Sequence, residues 1–124
     1  MSDKRILIVD DVQSMRLVVK FTLESMELKN VDQASNGKQA IDLIKKNHYD
    51  LVISDMEMPV LNGVELLNLI RADEKYKDLP FIMLTSIADK EKILEVIGQS
   101  VDSYILKPIC PDVLSKRVAT ALSR

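Results

Sequence analysis

The sequence predicts an α/β protein built around a buried parallel sheet, on three observations. Short apolar runs rich in Val, Ile and Leu recur at RILIVD, DLVISD, PFIMLTS and SYILKP. These runs are apolar throughout and do not alternate, so each strand should be covered on both faces, as in a parallel sheet between two layers of helices. A segment of helical character separates each run from the next.

Taken in order, the first strand is ILIV, running from Ile6 straight into Asp10 and Asp11. The first helix is expected from near Ser14 to about Met26, with Met15, Val18, Val19 and Met26 facing the core and Leu17 and Phe21 falling elsewhere. Those two are either scattered exposed residues or the edge of a docking surface. A weaker strand, NVDQA, follows, and the second helix is expected from Gly37 to Asn47. The strand DLVISD leads to a third helix from Gly63 to about Ala72. After PFIMLTS comes ADKEKILEVIGQ, the predicted fourth helix at 88–99. SYIL is the fifth strand, and PDVLSKRVATAL the fifth helix, with Pro111 in the first turn where a missing N–H costs nothing. The prediction is five strands and five helices in one domain spanning 1–124, with no repeat or linker at which to divide it.

At 124 residues the chain is long enough to bury a core without a disulfide or a metal staple. A hydrophobic share of 47% beside 29% charged residues is that of a folded globular protein and excludes a disordered one. The formal net charge of -2 gives no general attraction to nucleic acid or to anionic lipid. The apolar runs are strand-sized and MSDKR meets the first strand without a secretory signal, so a cytoplasmic protein is expected. Cys110 is the single cysteine and is expected to be a structural or incidental thiol.

In open α/β sheets, ligands bind outside the carboxyl ends of the strands. Asp10 and Asp11 close the first strand, Asp55 closes DLVIS, Thr85 closes FIML, and Lys107 closes SYIL. Each alone has an ordinary explanation as a helix cap, a strand-end residue or a turn residue. Together they bring complementary chemistry to one rim. Three carboxylates gathered there repel one another and stay ionised only by sharing a cation. Hard oxygen ligands, few in number, suit Mg²⁺. With Lys107 as a second positive charge and the Thr85 hydroxyl beside it, the rim can hold the oxygens of a phosphoryl group, with Asp55 as nucleophile.

These residues, with DMEMPVLNG from Asp55 to Gly63, Ser86, Tyr104 and the pair Lys107 and Pro108, resemble a response-regulator receiver domain, most closely the stand-alone chemotaxis type, over the entire chain. The resemblance implies a flavodoxin-like three-layer sandwich with strand order 2-1-3-4-5. It also implies a phosphorylation-controlled switch, not an enzyme beyond its own self-catalysed phosphorylation and dephosphorylation. Asp55 would accept a phosphoryl group from a histidine kinase or phosphotransfer protein. Asp11 and Asp55 would bind Mg²⁺ directly, Asp10 largely through water, and Glu57 through its backbone carbonyl. Lys107 would pair with the phosphoryl oxygens, Thr85 would hydrogen-bond them, and the Tyr104 ring would turn inward as Thr85 moves. The Lys107 to Pro108 bond would be cis. The signal would pass from a monomer to a downstream protein through the fourth helix, fifth strand and fifth helix, with no nucleic acid or membrane partner.

Some positions depart from the family pattern. Ser86 replaces the usual Ala, and Ser100 replaces the usual Gly before Tyr104. Glu57 and Ile87 occupy two positions that tune phosphoryl lifetime in the family. His48, in KKNHYD, is read as a solvated loop residue, and Met56 and Met58 as packing.

Two other site chemistries compete for this pattern. A haloacid-dehalogenase-type phosphohydrolase also uses Mg²⁺ and a nucleophilic Asp after its first strand, but places two aspartates there with one residue between them, whereas Asp10 and Asp11 are adjacent and Val12 follows. A flavin-phosphate site would need a Ser, Thr or Gly loop where DDVQSM stands.

Overall fold

The chain runs β1 (Arg5–Val9), α1 (Gln13–Ser25), β2 (Asn30–Ala34), α2 (Gly37–Lys46), β3 (Leu51–Asp55), α3 (Gly63–Ala72), β4 (Phe81–Thr85), β5 (Ser103–Leu106) and α4 (Pro111–Leu122). The structure, a computed structural model, describes residues 3–86 and 101–123. All strand pairs are parallel and the sheet order is β2-β1-β3-β4-β5, the flavodoxin-like order. Four helices stand among the described residues; the helix expected at 88–99 lies outside them. The helix predicted as the fifth is α4.

Alternate residues of each strand enter two separate cores, which is why the strand sequences show no alternation. Leu7, Val9, Val52, Phe81 and Met83 pack with Ala40 and Ile44 of α2 and Leu66, Leu67 and Ile70 of α3. Ile6, Ile8, Leu51, Ile53, Ile82 and Leu84 pack on the opposite face with Val19 and Leu23 of α1 and Leu114 and Val118 of α4. Burying such a side chain contributes roughly 1.5–3 kcal/mol, so both layers are held by area removed from water. β2, at the edge with one neighbour, is the least apolar strand and the least buried of the first four.

The helix ends follow local chemistry. Asn36 caps α2 by accepting from the Gln39 amide at 2.9 Å. A reciprocal capping box opens α3, with Asn62 accepting from the Glu65 amide and Glu65 accepting from the Asn62 amide. α1 closes in a Schellman arrangement in which the amides of Glu27 and Leu28 bond the carbonyls of Glu24 and Leu23, with Glu27 at a φ of 63°.

One expectation for α1 needs correction. Val18 was expected in the core, yet it is 40% exposed, beside Leu17 at 38% and Phe21 at 64%. Thr22 is buried in its place, because its hydroxyl is satisfied by the Val18 carbonyl at 3.1 Å and so enters the core without an open polar group.

The loop between β3 and α3 is drawn tightly over the rim. A Cβ on Gly63 would stand 2.1 Å from the Asp55 carbonyl oxygen, and one on Gly37 would stand 2.5 Å from the Leu61 carbonyl oxygen, so both contacts require glycine. The loop also holds Val60 at a φ of 70°, where a β-branched side chain costs about 1–3 kcal/mol. No helix among the described residues is long and apolar enough to cross a membrane.

Candidate functional site

Strand register alone brings the polar strand ends together. Val9 pairs with Ser54, Asp55 with Leu84, and Thr85 with Leu106, so Asp10, Asp55, Thr85 and Lys107 follow one another along the carboxyl edge of the sheet. Carboxylate oxygens of Asp10, Asp11 and Asp55 lie within 4.8 Å of one another. Lys107 Nζ stands 2.9 Å from Asp55 Oδ1 and 4.0 Å from Asp10 Oδ2. The Lys107 to Pro108 peptide is cis.

The ordinary explanation of the acid pair, a helix cap, fails on the geometry. The N-cap of α1 is Val12, and no side chain caps that end. Asp10 is fully buried, its Oδ1 accepts from the Val12 amide at 2.9 Å, and its Oδ2 has no hydrogen-bond partner. Burial pushes the Asp10 carboxyl above its usual range. The neighbouring Asp55 and Asp11 charges push the same way, against the Val12 amide and Lys107. A buried carboxylate oxygen that accepts no hydrogen bond, 4.0 Å from Lys107 and facing two more carboxylates, fits a hard divalent cation, and the all-oxygen donor set fits Mg²⁺.

The raised folded-state value sets a sign for stability. Its cost is absent below the unfolded value of about 3.8, grows as pH rises from there to the folded value, and is complete above the folded value. Asp10→Asn keeps the acceptor for Val12 and removes the charge. We expect it to stabilise the metal-free protein at pH 7 by about 1 kcal/mol, a rise of roughly 4 °C in Tm, with the gain vanishing below pH 3.8. Thermal unfolding in a chelator at several pH values is the check, and a lower Tm at pH 7 contradicts the assignment.

Asp55 is buried, and its Oδ1 also accepts from its neighbour's amide, Met56 N–H, at 2.9 Å. The buried Thr85 hydroxyl lies 3.6 Å from the Met56 sulfur and 3.3 Å from the Ser86 carbonyl oxygen, and donates there, not to Asp55. Met56 is thus packing, as expected, and also an acceptor for Thr85. Met58 is half-buried against the same core. Glu57 is exposed at the rim, and Tyr104 is half-buried against the α2 and α3 face of the sheet. Ile87 and Ser100 lie outside the described residues.

His48 is exposed, 3.3 Å from Asp50, away from the rim, and Cys110 is exposed and free. The sequence reading missed Arg16, which donates to the Asp10 carbonyl oxygen at 2.6 Å. Its signal is slight: a lone cation in the otherwise apolar stretch MRLVV.

The family model described as "Response regulator receiver domain" matches residues 6–119. The chemotaxis protein CheY-3 of Vibrio cholerae is 38% identical over 97% of this chain and 92% of its own length. The chemotaxis protein CheY of Pseudomonas aeruginosa is 33% identical over 97% of each chain. Among solved structures, the chemotaxis response regulator CheY4 of Vibrio cholerae superposes with a TM-score of 0.86 at 33% identity, covering 96% of this chain and 98% of its own. A response regulator receiver domain protein from Clostridium thermocellum gives a TM-score of 0.87 at 28% identity, covering 98% and 95%. These matches do not support the haloacid-dehalogenase alternative, and the acid nearest Lys107 closes β3, with the one that closes β1 farther off at 4.0 Å.

Proposed function

Because the chain belongs to the response regulator receiver domain family, we propose that Asp55 accepts a phosphoryl group from a phosphohistidine of a sensor histidine kinase or phosphotransfer protein. The observation that carries this reading is the Lys107 ammonium 2.9 Å from Asp55 Oδ1, beside three converging carboxylates. An Asp55 oxygen attacks phosphorus, the P–N bond breaks with its electron pair going to the ring nitrogen, the ring leaves as neutral imidazole keeping the proton on its other nitrogen, and an acyl phosphate remains. Lys107 meets the charge that builds on the phosphoryl oxygens, and Thr85 exchanges its present acceptors for one of them. Asp10, Asp11, Asp55 and the Glu57 carbonyl would hold Mg²⁺. When bound, the ion would supply positive charge that offsets the carboxylates and favours the approach of phosphoryl oxygens.

The chain is read as a single receiver domain acting as a cytoplasmic monomer. Chemotaxis is the output that its relatives' names favour. The downstream protein binds the face of β5 and α4. Support comes from a cleft of about 590 Å³ there, lined by Tyr104, Ile105, Leu106, Pro108, Val113 and Arg117.

Intact mass after treatment with acetyl phosphate tests the proposal: one added phosphoryl group with Mg²⁺ and none in a chelator. Uptake independent of the metal contradicts it. The decay of that mass reads the lifetime. Ile87 can neither orient a water nor share its proton, and the exposed Glu57 charge opposes a dianion. Decay is therefore slow for the family, and Ile87→Gln quickens it more than Glu57→Asn does. A tenfold change corresponds to about 1.4 kcal/mol in the barrier. A parent-like rate in Ile87→Gln protein removes that role.

A further inference from the structure

Asp10 and Asp11 are joined by one peptide group, and the plane of that peptide sets how their carboxylates converge. Its carbonyl, on Asp10, lies past the last residue of β1. The Asp10 amide is still held by the edge strand, donating to the Ala34 carbonyl at 3.1 Å. The carbonyl instead receives Arg16 NH1 at 2.6 Å. Arg16 is anchored in turn, since its Nε donates to the Gln33 side chain on β2 at 2.9 Å. One guanidinium therefore ties the first turns of α1, the edge strand and the acid-bearing peptide together. A planar fork can do this and an ammonium cannot.

We propose that Arg16 is a positioning residue for the metal site, holding the Asp10 to Asp11 peptide so that both carboxylates face one cation; this rests on the Mg²⁺ reading of the acid cluster. The bond is charge-assisted and half-buried, the class with the largest effect per contact. Groups that orient metal ligands change metal affinity by roughly 10–100-fold when removed. Two effects of Arg16 oppose each other. Its charge repels a divalent cation, so if charge alone acted, Arg16→Ala would tighten Mg²⁺ binding and Arg16→Lys would match the parent. If positioning dominates, both variants weaken it.

The test is Mg²⁺ titration by calorimetry on the parent, Arg16→Ala, Arg16→Lys and Gln33→Ala, each first shown to be folded by circular dichroism. We expect about tenfold weaker binding for Arg16→Ala, a similar loss for Arg16→Lys, and a smaller loss in the same direction for Gln33→Ala. In metal-free protein the Asp11 amide ¹⁵N resonance, attached to the Asp10 carbonyl, shifts in both Arg16 variants. Equal or tighter binding by Arg16→Ala overturns the proposal while leaving the metal site standing. A parent that binds no Mg²⁺ overturns the metal-site reading and the proposal with it. If Arg16→Ala does not fold, Arg16→Lys and Gln33→Ala decide: parent-like affinity in both overturns the positioning role.

Discussion

Asp55→Asn protein is expected to take up no phosphoryl group under conditions that label the parent. The carboxamide lone pair is delocalised and its oxygen neutral, so it offers no competent nucleophile. The neighbours do not substitute for it. Asp10 is buried, with Oδ1 committed to the Val12 amide, and its Oδ2 stands 4.0 Å from Lys107 where Asp55 Oδ1 stands 2.9 Å away. Intact mass with and without acetyl phosphate gives the answer. Stoichiometric labelling of the variant would move the acceptor elsewhere.

Lys107→Ala separates catalysis from metal binding by sign. In the metal-free site Lys107 is the cation paired with Asp55, so it competes with Mg²⁺ for the same oxygens. Its removal should leave Mg²⁺ affinity unchanged or tighten it a few-fold. Phosphoryl uptake should fall by roughly 100-fold or more, the usual cost of deleting a charged donor aimed at developing charge. Where phosphorylation is forced, hydrogen exchange around Tyr104 should no longer respond, because the link from the phosphoryl oxygens to β5 is gone. Loss of Mg²⁺ affinity in this variant would show that Lys107 shapes the acid cluster and does not serve the phosphoryl group.

The sheet was legible because its strands are buried on both faces, and continuous runs such as ILIV and FIML leave little else for those segments to be. The rim was legible for a related reason: in a parallel sheet every strand end falls on one edge, so a charged residue closing each run has a known place. The face of α1 was harder. Apolar residues occur at 15, 17, 18, 19, 21 and 23, more than one face can hold, and the choice turned on Thr22. A threonine reads as a surface residue until its hydroxyl is seen to bond the Val18 carbonyl. Arg16 was illegible for the same reason. Its partner is a backbone carbonyl, and nothing in the residue types of Asp10 or Asp11 announces that contact. The sulfur acceptor for Thr85 likewise depends on the residue after β3 staying on the β4 ladder, where the Met56 amide donates to the Leu84 carbonyl at 2.9 Å.

An acyl phosphate on Asp55 can be read at the residue itself. Borohydride reduces an acyl phosphate to the alcohol and leaves homoserine at the acceptor position. Protein treated with acetyl phosphate and Mg²⁺, reduced and sequenced by tandem mass spectrometry, should show homoserine at position 55 and nowhere else, with none when Mg²⁺ is chelated. Homoserine at position 10 or 11, or its absence from a protein that has gained a phosphoryl group, would contradict the account.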